Sequence, residues 1–297
     1  MENIRGIVLM VASMAGFALE DMFVKSMADG LPVSQILILL GFAGALIFGT
    51  WAKLRGERLL PPEIRHPLMI LRNVGEMIGT VMFVNAIVLI PLATASAILQ
   101  ATPLAVALGA ALFMGAEVGW RRWLAILVGF AGVLMVVRPG LAGFEPASLL
   151  AVGAVFCLAA RDLATRAAPA HLSSPVLSCW GFAAAGVAGL VLVPVSGAPH
   201  WPTPDHWLML GGALGCGVAA YYAITLAMRV GDVAVVTPFR YARLIFAVII
   251  GMLVFGERPD LWTLIGSAVI IGSGLYTLMR EQMRRRAAQR ALAAMTS

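Results

Sequence analysis

Long apolar runs, separated by short polar or charged segments, occupy almost the whole of this 297-residue chain. A helix needs about 20 apolar residues to cross the roughly 30 Å hydrocarbon core of a bilayer. The sequence contains ten such runs, at residues 6–27, 33–52, 68–90, 92–114, 121–137, 147–165, 175–195, 207–228, 233–255 and 261–279. Because lipid offers the backbone no hydrogen-bond partners, each run is predicted to be a helix. The chain is therefore predicted to be an all-α integral membrane protein with ten transmembrane helices.

The composition excludes an ordinary soluble fold. Hydrophobic residues make up 61% of the chain and charged residues only 12%, whereas soluble domains are about 45–50% apolar and about 25% charged. The net charge of +6 does not indicate nucleic-acid binding, since the basic residues lie in loops between apolar runs and in the tail. All three cysteines lie inside apolar runs without metal-ligand spacing, so neither a metal nor a cofactor is predicted.

The basic residues also predict the orientation of the chain. Fourteen Lys and Arg lie on the side of the N-terminus, three lie on the other side, and four lie within the runs. Positively charged loops face the cytoplasm in membrane proteins. Both termini are therefore predicted to be cytoplasmic, which agrees with an even number of spans, in a multi-pass protein of the bacterial inner membrane.

The two halves of the sequence repeat each other. At a shift of 141, Asp21 matches Asp162 and Lys25 matches Arg166; at a shift of 140, Glu117 matches Glu257 and Gly132 matches Gly272. The predicted units are a first five-helix repeat at 4–140, a second at 145–280, and a basic cytoplasmic tail at 281–297. Five spans is an odd number, so the second repeat must be inverted relative to the first. Inverted repeats are typical of secondary transporters.

Several motifs resemble those of a known family. They are Gly-Ala-Glu at 115–117 and Gly-Glu at 256–257, which close the fourth and ninth runs, the stretch Thr-Pro-Phe-Arg-Tyr-Ala-Arg at 237–243, and Phe-Gly-Glu-Arg-Pro at 255–259 with Gly272 and Gly274 beyond it. Together they resemble the EamA-type members of the drug/metabolite transporter superfamily, which include bacterial carriers for riboflavin, S-adenosylmethionine and amino acids. The resemblance implies a central cavity lined by spans of both halves, with the fifth and tenth spans more peripheral.

Two arginines near the middle of the ninth run give the strongest site signal. Arg240 and Arg243 are three residues apart and so share one helix face. An arginine at the centre of a membrane helix costs about 2.5–3.5 kcal/mol. The cost is offset either by acids of other spans, such as Glu76 or Asp21, or by an anionic substrate.

Other ionisable residues inside the runs allow two interpretations each. Asp21 and Asp162 precede a base by four residues, so each either neutralises that base or carries a coupling proton. Arg72 and Glu76 either pair with each other at a helix end, or Glu76 faces the cavity as a proton or cation site. Glu20 and Arg161 point away from their neighbours and are candidates to meet across the halves.

These features predict a secondary transporter that works by alternating access, driven by a proton gradient or by exchange. Its substrate is predicted to be riboflavin or another carboxylate- or ring-bearing compound; an S-adenosylmethionine or amino-acid carrier or exchanger is the alternative.

The candidate substrate-binding residues are Arg240, Arg243, Tyr241, Gln100, Glu76, Asn73, Trp180 and Tyr222, the candidate coupling residues are Asp21, Glu20 and Asp162, and the candidate hinges are Pro103 and Pro238. An intramembrane enzyme is disfavoured, because the sequence has neither H-E-x-x-H nor G-x-S-x-G. The expected partners are a small-molecule substrate and membrane lipid, and a homodimer is left open.

Overall fold

A computed structural model describes residues 2–115, 119–141, 143–167 and 172–296, and this described part consists of helices and loops without a strand. The helices are α1 (Glu2–Met27), α2 (Val33–Leu54), α3 (Pro67–Leu89), α4 (Leu92–Leu99), α5 (Thr102–Phe113), α6 (Trp120–Val137), α7 (Ser148–Arg166), α8 (Ser174–Ser196), α9 (Pro204–Val230), α10 (Val233–Val236), α11 (Ala242–Val254) and α12 (Leu261–Thr296), with short 3-10 segments at Pro62–Arg65 and Thr237–Tyr241. Within the described residues, ten helical segments are long and apolar enough to cross a membrane. The predicted all-helical fold with ten spans is confirmed.

Two of the ten spans are interrupted. The fourth span is divided into α4 and α5 around Gln100 and Ala101, and the ninth span passes through α10 and the 3-10 segment before α11. Pro103 lies in the first turn of α5, and Pro238 lies in the first turn of the 3-10 segment. A backbone N–H in a first turn has no acceptor within its helix, so its absence in proline costs no helical hydrogen bond. The Leu99 carbonyl, which the break leaves without its helical partner, accepts the Thr102 hydroxyl at 2.6 Å. The role of the two prolines as hinges stays a prediction.

The helices pack mainly between the two halves. The most extensive contacts pair α1 with α9, α3 with α7, α2 with α8, and α6 with α12, and the two interrupted spans also meet through α4 and α11. The same pairs of spans result when each span of one half is replaced by its counterpart in the other half, five spans along the chain. Two inverted five-helix repeats are expected to give such a pattern, and the repeat units stay a prediction. Because the described spans number ten, α1 begins at the face where the last span ends, called here the termini face; the opposite face is called the far face. α12 continues as a helix to Thr296 and so includes most of the predicted basic tail.

Glycine allows the close approach of α3 and α7. A Cβ atom at Gly75 would lie 2.8 Å from the Cys157 carbonyl oxygen on α7, too close for any other residue without a backbone shift. Small residues at helix contacts let backbones approach within a membrane. The close contact brings Arg161, one helical turn beyond Cys157, within reach of Glu76 on α3.

An ion pair at the far face joins α6 to α12. Arg138, which ends α6 with a φ of 52°, binds Asp260 at 2.6 Å. The Asp260 carboxylate also caps α12 by accepting the Thr263 backbone N–H at 2.9 Å. Partial burial raises the pKa of Asp260, but hydrogen bonds from Thr263 and the Arg138 guanidinium outweigh it and hold the pKa below its usual value.

This pair gives a prediction for stability. Asp260→Asn keeps an N-cap oxygen but loses the ion pair, so it should cost less than about 1 kcal/mol at pH 7. Asp260→Ala also loses the cap and should cost about 0.5–2 kcal/mol more. Because the pKa is lower in the folded protein, the ion pair stabilises above the unfolded value of about 3.9, and its contribution disappears as the pH falls below that value. Melting temperatures of the purified variants between pH 7 and pH 3 test this, and a wild-type advantage over Asp260→Asn that persisted at the lowest pH would contradict it.

Candidate functional site

A cavity of about 520 Å³ lies between the two halves. Its volume is within the usual range of about 300–1,000 Å³ for small-molecule sites. The cavity extends to Met114 and Arg122 at the termini face. Its polar and charged wall is formed by Glu76, Thr80, Gln100, Thr102, Arg161, Asp162, Thr237, Arg240, Tyr241 and Arg243, together with Arg122 and Thr277. Many residues predicted separately from the sequence therefore meet around one space.

Arg240 faces this cavity from the 3-10 segment of the ninth span. Its side chain is exposed, and in the described part of the chain its guanidinium has neither an ion pair nor a hydrogen bond. Its backbone carbonyl accepts the Gln100 side-chain amide at 3.3 Å, so the breaks of the fourth and ninth spans touch. Gln100 and Arg240 are 140 residues apart, which is the shift between the two halves, and they lie together. Among the described residues the Arg240 guanidinium has no ion-pair partner, so its positive charge faces the cavity.

Arg243, one helical turn further on, is held by the protein itself. Its Nη2 and Nε atoms donate to Asp21 Oδ2 at 2.6 and 3.2 Å. The guanidinium also lies between two rings, 5.4 Å from the centroid of Phe17 and 5.6 Å from that of Phe83. An acid of another span or an anionic substrate was expected to offset the cost of the Arg243 charge. The structure shows the first of these, since Asp21 belongs to α1.

The structure corrects the pairing of Asp21 with Lys25. Asp21 binds Arg243, and Lys25 binds Glu257 at 3.1 Å. An i,i+4 pair on one helix contributes only about 0.2–0.5 kcal/mol, whereas each observed pair adds hydrogen bonds in a buried site shared by both halves. The corresponding pair in the second half lies outside the described residues, since the side chain of Arg166 and the whole of Glu117 are among those not described.

Arg161 of α7 joins two carboxylates. It donates to Glu76 of α3 at 3.1 and 3.2 Å and to Oδ1 of its neighbour Asp162 at 2.9 and 2.8 Å. Glu76 is therefore bound across the halves rather than to Arg72, which donates to Asn73 at 2.9 Å. Two carboxyl groups share one guanidinium, so this three-residue cluster has one more acidic group than basic groups. It lies across the cavity from Arg240, on which Asp162 exerts an attraction.

Asp21 and Pro238 are not among the residues that line the cavity, and four further predicted residues lie elsewhere as well. Trp180 is buried and donates its indole N–H to the Leu59 carbonyl at 2.8 Å. Tyr222 is exposed on α9 with its ring 5.9 Å from that of Trp51, and Asn73 accepts from Arg72. Glu20 packs against α9, where its Oε1 would lie 2.8 Å from a Cβ at Gly217, and so it does not meet Arg161. The functional roles proposed for these four remain predictions.

Two residues at the centre of the observed networks were missing from the predicted site. Arg161 binds both cavity carboxylates, and Glu257 binds Lys25 at the far face. The signal for Arg161 was present, because a charged residue at membrane depth is itself a functional indicator. Glu257 appeared only as part of the Gly-Glu motif at 256–257, and its partner Leu92 lies 165 residues away in the sequence.

Comparison with known proteins covers both halves of the chain. Residues 4–138 and 146–279 each match the model of the EamA-like transporter family. A riboflavin transporter of Vibrio cholerae is 28% identical over 291 residues, which span 95% of this chain and 96% of that protein. An S-adenosylmethionine uptake transporter of Rickettsia conorii is 25% identical over 279 residues, 93% of each protein. A crystal structure with 21% identity shares the fold, with a TM-score of 0.60 over 92% of this chain and 98% of its own.

Proposed function

Because the chain belongs to the EamA-like transporter family, we propose that it is a secondary transporter that moves a small metabolite by alternating access. The ten spans and the bacterial relatives indicate a multi-pass protein of the inner membrane, and they support a small-molecule transporter rather than an enzyme. The sequence has no G-x-x-x-x-G-K-[ST] loop, so ATP does not energise it directly. A proton gradient or exchange of substrates supplies the energy. The proposed repeat units remain 4–140 and 145–280.

The observation that carries this proposal is the Arg240 guanidinium. A cation at membrane depth needs a compensating group, and the described part of the chain supplies Arg243 with Asp21 but gives Arg240 no such partner. A substrate in the cavity would complete the site by accepting from Arg240 through a carboxylate or a ring carbonyl. Guanidinium groups bind such planar acceptors with two parallel hydrogen bonds.

The opposite wall refines the substrate class. The Glu76–Arg161–Asp162 cluster has one more acidic group than basic groups, and Arg240, which has no ion pair among the described residues, faces the same cavity. A substrate that bears both a carboxylate and an amino group would neutralise both walls. This arrangement favours an amino-acid-bearing compound such as S-adenosylmethionine. Riboflavin is the second candidate, because Phe17, Phe83 and Tyr241 give the cavity aromatic walls that suit a flat ring.

The direct test is uptake by purified protein in proteoliposomes. Labelled S-adenosylmethionine, riboflavin and single amino acids are offered with and without a proton gradient, and with and without substrate preloaded on the opposite side. Saturable uptake with counterflow is expected for at least one compound. Flux that rises linearly with concentration would indicate a passive channel and contradict the proposal.

Asp162→Asn tests the amphoteric substrate. Asparagine keeps an acceptor oxygen for Arg161 but lacks the negative charge of the carboxylate, so the cluster then has one acidic and one basic group. Uptake of a compound with an amino group should fall about 10- to 100-fold, since a hydrogen bond to a charged group is worth about 1.5–3 kcal/mol. Uptake of an uncharged compound should change much less. The matched control is Asp205→Asn, an exposed aspartate in the first turn of α9, and equal losses for both compound types would contradict the assignment.

A further inference from the structure

The far face is closed by an ion pair between the halves. Lys25, in the last turn of α1, lies with its Nζ 3.1 Å from Oε1 of Glu257, which follows α11. The side chains are only 15% and 10% exposed. The ammonium also lies 5.3 Å from the centroid of the Phe255 ring. The pair is therefore well shielded, although it lies near the end of both spans.

The same two side chains bind the junction between α3 and α4. Lys25 donates to the Ile90 carbonyl at 2.7 Å. Glu257 accepts from the backbone N–H groups of Leu92 and Ala93, at 2.8 and 3.4 Å. These groups have no acceptor within their own helix, and a carboxylate there also interacts favourably with the helix dipole. One ion pair thus joins the far-face ends of α1, α3, α4 and α11.

These four helices also wall the cavity, which receives Phe17 from α1, Phe83 from α3, Leu99 from α4 and Arg243 from α11. The cavity extends towards the termini face, whereas the Lys25–Glu257 contact lies at the opposite ends of its walls. Release of a substrate at the far face requires these ends to separate. α4 is only eight residues long and is separated from α5 by the break at Gln100 and Ala101.

We propose that Lys25 and Glu257 form a latch that holds the far face closed and that must break before the cavity opens there. This inference rests on the proposed alternating access, and it assigns the two residues a role in the transport cycle rather than in substrate binding. A permanent structural brace is the competing interpretation. Buried ion pairs often contribute little net stability, so the two interpretations differ mainly in the effect that removing the pair has on access to the cavity.

The test measures access to the cavity from each face. The three cysteines are replaced by alanine, Leu99→Cys is introduced as a reporter in the cavity wall, and a membrane-impermeant maleimide is added to one face at a time. The faces are distinguished by a tag at the C-terminus. Lys25→Ala and Glu257→Gln should each raise the rate of far-face labelling about tenfold or more, because removal of one partner leaves the other unpaired in the closed state.

Two controls separate a latch from a brace. Asp260→Asn breaks the other far-face ion pair between the halves, which joins α6 to α12, and should leave labelling unchanged; Lys25→Arg should restore closure. Unchanged sidedness in both latch variants, with only a lower melting temperature, would overturn the proposal. Val106→Cys serves as a second reporter in the cavity wall if Leu99→Cys perturbs the fold.

The labelling needs no substrate, so it separates this inference from the proposed function. Altered sidedness together with no flux of any compound would support the latch and count against transport by the wild-type protein. Normal saturable transport by the wild-type protein, together with unaltered sidedness of labelling in the latch variants, would support the proposed function and contradict the latch.

Discussion

Arg240→Ala should lower the apparent affinity for the transported compound about 10- to 150-fold, the equivalent of one hydrogen bond to a charged group at about 1.5–3 kcal/mol. The side chain faces the cavity and has no ion pair among the described residues, so its removal leaves no protein carboxylate without a partner. Folding should consequently be preserved, and the whole effect should appear in transport. The measurement is concentration-dependent uptake into proteoliposomes, with melting temperature as the check on folding.

Two further variants determine what Arg240 supplies. Arg240→Lys keeps the positive charge but loses the planar pair of donors, so it should recover only part of the affinity if the substrate presents a carboxylate or ring carbonyl. Arg121→Ala is the matched control, since Arg121 is exposed at the start of α6 and stacks on the Trp120 ring away from the cavity. Full activity of Arg240→Ala would remove Arg240 from the substrate site.

The spans were predictable from sequence because each depends on local composition. The run 92–114 was predicted as one transmembrane span with a candidate hinge at Pro103, and the structure divides it at Gln100 and Ala101. A proline is tolerated in the first turn of a helix, and the run around it stays as apolar as an unbroken span. Hydropathy alone therefore does not locate the break. The ninth span is interrupted in the same way before α11.

The partners of the charged residues were not predictable in the same way. Local spacing suggested Asp21 with Lys25 and Arg72 with Glu76, but Asp21 binds Arg243, 222 residues away, and Glu76 binds Arg161, 85 residues away. The packing of α1 and α3 against the second half brings these partners together. The spacing of residues along one helix does not reveal that packing. The idea that acids of other spans compensate the central arginines was nevertheless right for Arg243.

Asp21→Ala should be among the most damaging single changes to stability in this protein. It leaves the Arg243 guanidinium, 19% exposed, without its carboxylate. Removing one partner of a buried ion pair costs about 3–5 kcal/mol. The expected result is a much lower melting temperature and a smaller yield of monodisperse protein. Asp29→Ala, at an exposed position beyond the end of α1, is the matched control and should be almost neutral.

A double-mutant cycle separates the ion pair from the rest of the site. Arg243→Met should cost less than Asp21→Ala, because the remaining carboxyl group can bind a proton and become neutral whereas a guanidinium cannot lose one. Methionine also keeps contact with the Phe17 and Phe83 rings that now flank Arg243. The double variant Asp21→Ala with Arg243→Met should therefore be more stable than the sum of the single effects by about 0.5–3 kcal/mol. Additive effects would mean that the two groups do not depend on each other.

The same cycle decides between the two interpretations of Asp21. If Asp21 only neutralises Arg243, the double variant should fold and retain gradient-driven uptake, since Arg240 and the Glu76–Arg161–Asp162 cluster are unchanged. If Asp21 also carries the coupling proton, the folded double variant should exchange substrate between the two sides of the membrane but no longer accumulate it against a gradient. Uptake with a proton gradient and counterflow without one, measured on the same preparation, distinguish these results. Loss of counterflow as well would place the Asp21–Arg243 pair in substrate binding or in the conformational change itself.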